Sequence, residues 1–130
     1  MKTLVITLGL LSSGLLLGVP NTILMPNTPD SLVEVSEFKV TSGTTTEALV
    51  TAVERMNAVL EATPGYQSRE LVYHEETNTW IDLVHWSSLE AAQAAMESVM
   101  SHPEAQAFLS LIDMETVRMR HAHTHWASAR

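Results

Sequence analysis

Residues 79–113, TWIDLVHWSSLEAAQAAMESVMSHPEAQAFLSLID, contain the pattern that decides the fold. Trp80–Trp86 alternates in side-chain character and predicts a strand. Ser87 and Glu90 have the spacing of a capping box, and the apolar residues after them recur at helical intervals. Pro103 breaks this helix and suits the first position of another. The stretch therefore predicts a strand, a helix and a second, shorter helix.

The residues that follow complete this half of the chain. Asp113-Met114 is expected to end the short helix, and Glu115–His123 predicts a final strand. The apolar face of the short helix is expected to comprise Ala105, Phe108, Leu109 and Ile112.

Residues 32–74 contain a similar pattern. Leu32–Val40, LVEVSEFKV, predicts a strand with apolar side chains on both faces. Thr44 and Glu47 again have capping-box spacing before a helix, and a Pro-Gly turn leads into a strand at Tyr66–His74. The order β-α-β-β-α-α-β predicts an α+β, ferredoxin-like plait, which is a four-stranded antiparallel sheet with helices on one side.

Both faces of the predicted third strand carry apolar side chains. Trp80, Val84 and Trp86 share one face, whereas Ile81 and Leu83 share the other. A bare apolar sheet face of several hundred Å² is unusual for a soluble monomer. We therefore expect a homodimer that buries the face without helices.

Composition excludes several classes of function. The 130 residues are 45% hydrophobic, which suits one domain with a modest core. The net charge of −8 and the pI near 5.1 oppose binding to nucleic acid. The absence of cysteine excludes disulfides, thiolate zinc sites and cysteine nucleophiles.

The amino terminus resembles an export signal. Met1-Lys2 precedes an almost unbroken apolar run, residues 4–19, which predicts a signal peptide or an uncleaved membrane anchor in residues 1–19. A periplasmic or secreted protein is expected, although a buried element of the domain is the alternative. Residues 20–31 are interpreted as a linker, residues 32–123 as the domain and residues 124–130 as a C-terminal tail.

The chain also resembles a known family. Residues 79–113 are similar to the second half of the antibiotic biosynthesis monooxygenase family, which belongs to the dimeric α/β-barrel superfamily. FKVTSGTTTEALVTAV and TPGYQSREL are similar to the first strand, helix and turn of that family. The resemblance implies two plaits joined through their sheets into a barrel, with a pocket between sheet and helices in each subunit.

The family includes cofactor-free oxygenases of polycyclic phenols and quinones as well as haem-degrading enzymes. The haem-degrading members resemble one another in an Asn, a Trp and a His, at positions that correspond here to Ser36, Ala95 and Phe108. None of the three residues matches. The resemblance therefore favours the cofactor-free branch over haem degradation.

Two hypotheses of function follow. The first is an exported monooxygenase without cofactor, metal or flavin that acts on a small aromatic or quinone-like molecule. Its catalytic acid or base is predicted to be His85, for which a place at the dimer interface or a strand edge is the alternative. The second is a non-catalytic small-molecule-binding or stress-related module with the same pocket. In both, the predicted ligand-binding residues are Ser36, Phe38, Trp86, Met96 and Phe108.

Two further groups of residues leave alternatives open. His121, His123 and His125 alternate on one side of an extended chain, which is suitable for a divalent metal, but a solvated tail explains the same pattern. Three arginines suit either an anionic substrate or ion pairs with the many carboxylates, namely Arg69, Arg118 and Arg120.

Overall fold

A computed structural model describes residues 31–128, and the predicted leader and most of the predicted linker lie outside the described residues. No helix within that range is long and apolar enough to span a membrane. The order of elements is the predicted one: β1 (Leu32–Val40), α1 (Thr46–Glu61), β2 (Tyr66–His74), β3 (Thr79–Trp86), α2 (Leu89–Val99), α3 (Pro103–Leu109) and β4 (Ile112–His123).

The four strands form one antiparallel sheet in the order β2-β3-β1-β4. The predicted ferredoxin-like α+β fold is therefore confirmed. In the central pair, Ser36 of β1 lies opposite Asp82 of β3, and on its other side it lies opposite Met119 of β4. Because side chains alternate along a strand, this register fixes which residues share the helix-covered face, called here the inner face.

The helices cover the inner face through two apolar clusters. In one cluster, Leu32 and Trp86 of the sheet pack with Ala92 and Ala95 of α2. In the other, Phe38 packs with residues of α1 and α3, and its ring meets that of Phe108 edge to face with centroids 5.8 Å apart. Residues of both clusters line a cavity between the inner face and the helices.

The predicted helix caps are each wrong by one residue. The N-cap of α1 is Thr45, whose Oγ1 accepts a hydrogen bond from the Ala48 N–H at 3.1 Å, while the Thr44 hydroxyl lies 2.8 Å from that of Thr41. The N-cap of α2 is Ser88, which accepts from the Ala91 N–H. Adjacent hydroxyl residues offer the same capping chemistry, so the extended backbone of the true cap decides between them.

The prediction for the start of β4 was also wrong. Ile112 was expected to continue the face of the short helix, but α3 ends at Leu109 and Ile112 pairs with Val40 at the start of β4. Pro103 does occupy the start of α3, and the His102 Nδ1 atom caps it by accepting from the Glu104 N–H. Strand pairing with β1 therefore overrides the local helical pattern at this end.

Candidate functional site

A cavity of about 210 Å³ lies between the inner sheet face and the helices. Its walls are mainly apolar and include small residues of α2, such as Ala92 and Ala95, which leave space above the sheet. Methionine is unusually frequent in this lining, and its flexible thioether adapts to irregular apolar ligands. Every methionine of the described residues contributes: Met56, Met96, Met100, Met114 and Met119.

The structure brings together the five residues predicted to bind a ligand. All of them line the cavity, where their role in binding stays a prediction: Ser36, Phe38, Trp86, Met96 and Phe108.

His85 is placed differently. It lies opposite Val33 of β1 and Ser68 of β2, on the sheet face away from the helices, called here the outer face. It does not line the cavity. The geometry therefore gives no support to His85 as an acid or base in this cavity, because strand alternation directs its side chain through the other face. The alternative place for His85, at a dimer interface or a strand edge, stays a prediction.

A buried ion pair forms one polar part of the cavity wall. Arg69 donates through Nε to Asp82 Oδ1 at 2.9 Å and through Nη2 to Asp82 Oδ2 at 2.7 Å. The two side chains are only 3% and 7% exposed. Such a bidentate pair satisfies both oxygens of the carboxylate and fixes the guanidinium plane.

The guanidinium of Arg69 is held from several sides. It donates to the Val53 carbonyl oxygen at 3.4 Å, and its Cζ lies 5.2 Å from the centre of the Phe108 ring. A guanidinium over an aromatic face is attracted by the ring quadrupole. These contacts connect β2, β3, α1 and α3 through one side chain, so the ion pair has an evident structural role.

A second carboxylate, Glu34, lines the cavity from β1. Its Oε2 atom accepts a hydrogen bond from His121 Nε2 at 2.9 Å across the β1–β4 pairing. The side chains are 14% and 33% exposed, so this pair is closer to the surface than the Arg69–Asp82 pair. Because a carboxylate without a proton only accepts hydrogen bonds, this contact requires the Nε2 proton on the His121 ring.

Two aromatic residues at the same end of the sheet, Trp86 and Tyr66, have buried or hydrogen-bonded polar atoms. The rings of Trp86 and Tyr66 pack edge to face with their centroids 6.0 Å apart. The Trp86 Nε1 atom is buried without a hydrogen-bond partner among residues 31–128. The Tyr66 hydroxyl donates to Asn57 Oδ1 at 2.9 Å. Burial raises the pKa of Tyr66 above 10.0, which keeps its hydroxyl protonated at neutral pH.

The sequence alone does not indicate that Glu34, Arg69 and Asp82 belong to one site. Strand alternation does place Glu34 with Ser36 and Phe38, which was the available signal. The pairing of Arg69 with Asp82 required the β2–β3 register, which the sequence does not give.

The C-terminal histidines do not converge on a metal site. Across residues 31–128, no group of three or more histidine, aspartate or glutamate side chains is placed to hold a metal ion. His121 instead bonds to Glu34, and His123 lies opposite Leu32 near the end of β4. His125 follows the end of that strand.

The three positions that the family resemblance connects with haem degradation all lie in the cavity wall. They present a hydroxyl, a methyl and a phenyl group, from Ser36, Ala95 and Phe108. None of these groups is a haem axial ligand of the usual kinds.

The fold, with its pocket between sheet and helices, defines a class of small α+β proteins. The sequence matches one family with this architecture. The profile described as antibiotic biosynthesis monooxygenase matches residues 31–110, and the chain belongs to this family. A search of the curated proteins found no match.

Solved structures share the fold at low identity. SnoaB, a cofactor-independent oxygenase from Streptomyces nogalater, is 18% identical in sequence and has a TM-score of 0.62. The match covers 75% of this chain and 96% of the SnoaB chain. Two proteins that carry the family name are each 12% identical. The match to the Bordetella bronchiseptica protein has a TM-score of 0.65 and covers 73% of this chain and 97% of that protein. The match to the Nitrosomonas europaea protein has a TM-score of 0.63 and covers 78% of this chain and 97% of that protein. At these identities the likeness concerns the fold.

Proposed function

We propose that this protein is a cofactor-independent monooxygenase that takes a one- or two-ring aromatic molecule into the cavity between sheet and helices. The observation that carries the proposal is the cavity itself, which is apolar over most of its wall and has charged groups at restricted positions. This is the usual composition of a small-molecule site. The cofactor-independent oxygenase of the same fold supports the reaction class.

The size of the cavity limits the ligand. An apolar cavity of about 150 Å³ holds benzene. The 210 Å³ here leaves room for a fused two-ring system such as a naphthol, with further space available if the methionine side chains change rotamer.

The proposed reaction balances without a cofactor. A naphthol and O₂ give a naphthoquinone and water: one ring C–H becomes C=O, one oxygen atom enters the product, and the other leaves as water. The ring loses four electrons, and O₂ gains four. The protein then has to orient the ring and accept a proton, since the electron-rich substrate supplies the reactivity towards O₂.

We propose further that the active form is a homodimer joined through the outer face. Val33, Val35, Ile81 and Leu83 form a half-buried apolar centre on that face, with no helix over it within the described residues. A second copy would remove this area from water, which is the main source of free energy in such assemblies. Sedimentation as a monomer at micromolar concentration would contradict this proposal.

Oxygen uptake tests the reaction. We expect the protein to consume O₂ with one or more members of a panel of naphthols and hydroquinones. Ala95→Leu is expected to abolish uptake because it adds three carbons into the cavity, whereas Ala94→Leu, one residue earlier and exposed on the same helix, is expected to have no effect. No uptake with the whole panel, or equal activity of both variants, would contradict the oxygenase proposal.

A binding module is the second candidate, because Arg69 and Asp82 satisfy each other and are therefore suited to hold the fold rather than react. This candidate predicts tight binding of aromatic ligands without any O₂ uptake. Isothermal titration beside the uptake assay separates the two functions.

Export is also a proposal, supported by the basic start and the apolar run in residues 1–19. Fractionation of cells that express the full chain, with a variant lacking residues 2–19 as the control, tests it. Equal cytoplasmic recovery of both forms would contradict export.

A further inference from the structure

The two carboxylates that line the cavity differ in whether an oxygen atom is available to accept a hydrogen bond from a ligand. Asp82 has both oxygens engaged by Arg69. Glu34 accepts one hydrogen bond, at Oε2 from His121, and within residues 31–128 its Oε1 atom accepts none. A partly buried carboxylate oxygen in a mainly apolar cavity is a strong acceptor, because few waters compete for it.

Neighbouring residues place Glu34 where a ring substituent would reach it. Across the sheet, Glu34 lies opposite Val84, and one step further along β1 on the same face lies Ser36. All three line the cavity. Because Glu34 and Val84 are paired residues of adjacent strands, an aromatic ring that packs against the Val84 side chain lies beside the Glu34 side chain.

We infer that Glu34 is the specificity-determining residue of the cavity: it accepts a hydrogen bond from a hydroxyl group on the aromatic ligand and takes that proton during oxidation. The inference rests on the proposed function, since it assumes an aromatic ligand in this cavity. His121 is a positioning residue, because its Nε2–H holds the carboxylate through the other oxygen. The ligand class is thereby narrowed to phenols and naphthols that have a free hydroxyl.

The proposed proton transfer follows oxidation of the aromatic ring. A phenol hydroxyl is much less acidic than a carboxyl group, so in the bound ground state the proton stays on the ligand. When the ring transfers an electron to O₂, the hydroxyl becomes strongly acidic, its O–H bond breaks, and the proton passes to Glu34 Oε1. The products of this step are a neutral aryloxyl radical, superoxide and a protonated Glu34.

Anaerobic binding tests the recognition part without any turnover. The probes are 1-naphthol and 1-methoxynaphthalene, which differ in whether the ring oxygen carries a proton to donate. The wild-type protein is expected to prefer 1-naphthol by about tenfold, the scale of a hydrogen bond to a charged group. Glu34→Gln is expected to lose most of this preference while its affinity for the ether stays within about twofold.

Two further variants make the test specific. Glu37→Gln removes another carboxylate of the same strand, one that is paired with Arg120 on the outer face. This variant is expected to keep the full preference. His121→Gln is expected to lose part of the preference without weaker binding of the ether, which a general loss of folding would not produce. Equal binding of both probes to the wild-type protein, or an unchanged preference in Glu34→Gln, would overturn the inference.

The oxygen-uptake assay distinguishes this inference from the proposed function. If the binding preference depends on Glu34 but no O₂ is consumed, Glu34 recognises the hydroxyl and the oxygenase proposal is wrong. If the wild-type protein consumes O₂ and Glu34→Gln does so at the same rate, the oxygenase proposal stands and the role of Glu34 as proton acceptor is wrong. If both proposals are correct, Glu34→Gln lowers kcat by about 10²-fold or more with a smaller change in KM.

Discussion

The two faces of the sheet each carry an arginine–carboxylate pair, and the pairs differ mainly in burial. On the inner face, Arg69 and Asp82 approach to 2.7 Å and are 3% and 7% exposed. On the outer face, Arg120 and Glu37 approach to 2.9 Å but are 62% and 34% exposed. The two distances are nearly equal, but the two ion pairs differ in energy, because bulk water screens the exposed outer pair more strongly than the buried inner pair.

The comparison also separates positions that maintain the fold from those that can react. The inner pair is bidentate, buried and further held by Val53 and Phe108. Removal of one partner would leave an uncompensated charge in the core. Glu34, also on the inner face, has a single bond to a more exposed partner and is therefore the better candidate for contact with a ligand.

The largest expected effect is at the inner pair. Arg69→Met should lower the free energy of unfolding by about 3–5 kcal/mol, because it leaves Asp82 buried without its cationic partner. Urea denaturation measures this change. Arg69→Met combined with Asp82→Leu should recover much of the stability, since no unpaired charge remains. A loss below about 1 kcal/mol in the single variant would show that water reaches Asp82.

A smaller effect is expected at the apolar centre of the outer face. Val35→Asp should raise the dimer dissociation constant by about 100-fold or more, because the interface would have to bury a carboxylate. Sedimentation equilibrium measures this constant. Glu54→Ala, on an exposed position of α1, is the control and should leave it unchanged. Equal dissociation constants for the two variants would contradict an interface on the outer face.

The contact between Arg69 and Phe108 provides a sharper test of how the inner pair is held. Phe108→Leu should destabilise the protein by about 1–2 kcal/mol, since it removes ring contacts and a cation–π interaction. A double-mutant cycle with Arg69→Met should give a coupling of about 0.5–1 kcal/mol. A coupling energy of zero would mean that the Arg69 guanidinium, 5.2 Å from the Phe108 ring centre, contributes no cation–π stabilisation to the fold.

The smallest effect is expected at the outer pair. Glu37→Gln should change the free energy of unfolding by less than about 1 kcal/mol, and the change should shrink further in 1 M salt. Thermal unfolding at low and high salt is the measurement. An effect as large as that of Arg69→Met would contradict the energetic distinction between the two faces, unless the proposed dimer interface buries the Arg120–Glu37 pair.

Particular elements show how far the sequence could be interpreted without a structure. Strand alternation is sufficient to place Ser36 and Phe38 on one common face of β1, because the strand period is two whatever the partner strand. Only the structure shows that this face lines the cavity. The caps at Thr45 and Ser88 were missed by one residue, since neighbouring hydroxyl side chains present equivalent local patterns. Ile112 was assigned to a helix because its pairing partner, Val40, is distant in sequence.

The sequence by itself determined the order of elements and the family to which the chain belongs, because these depend on local periodicity and motif spacing. Only the tertiary structure decided which polar side chains meet. Arg69 and Asp82 are 13 residues apart and Glu34 and His121 are 87 apart, so each contact exists through strand register. A shift of one residue in that register would turn either partner to the other face of the sheet.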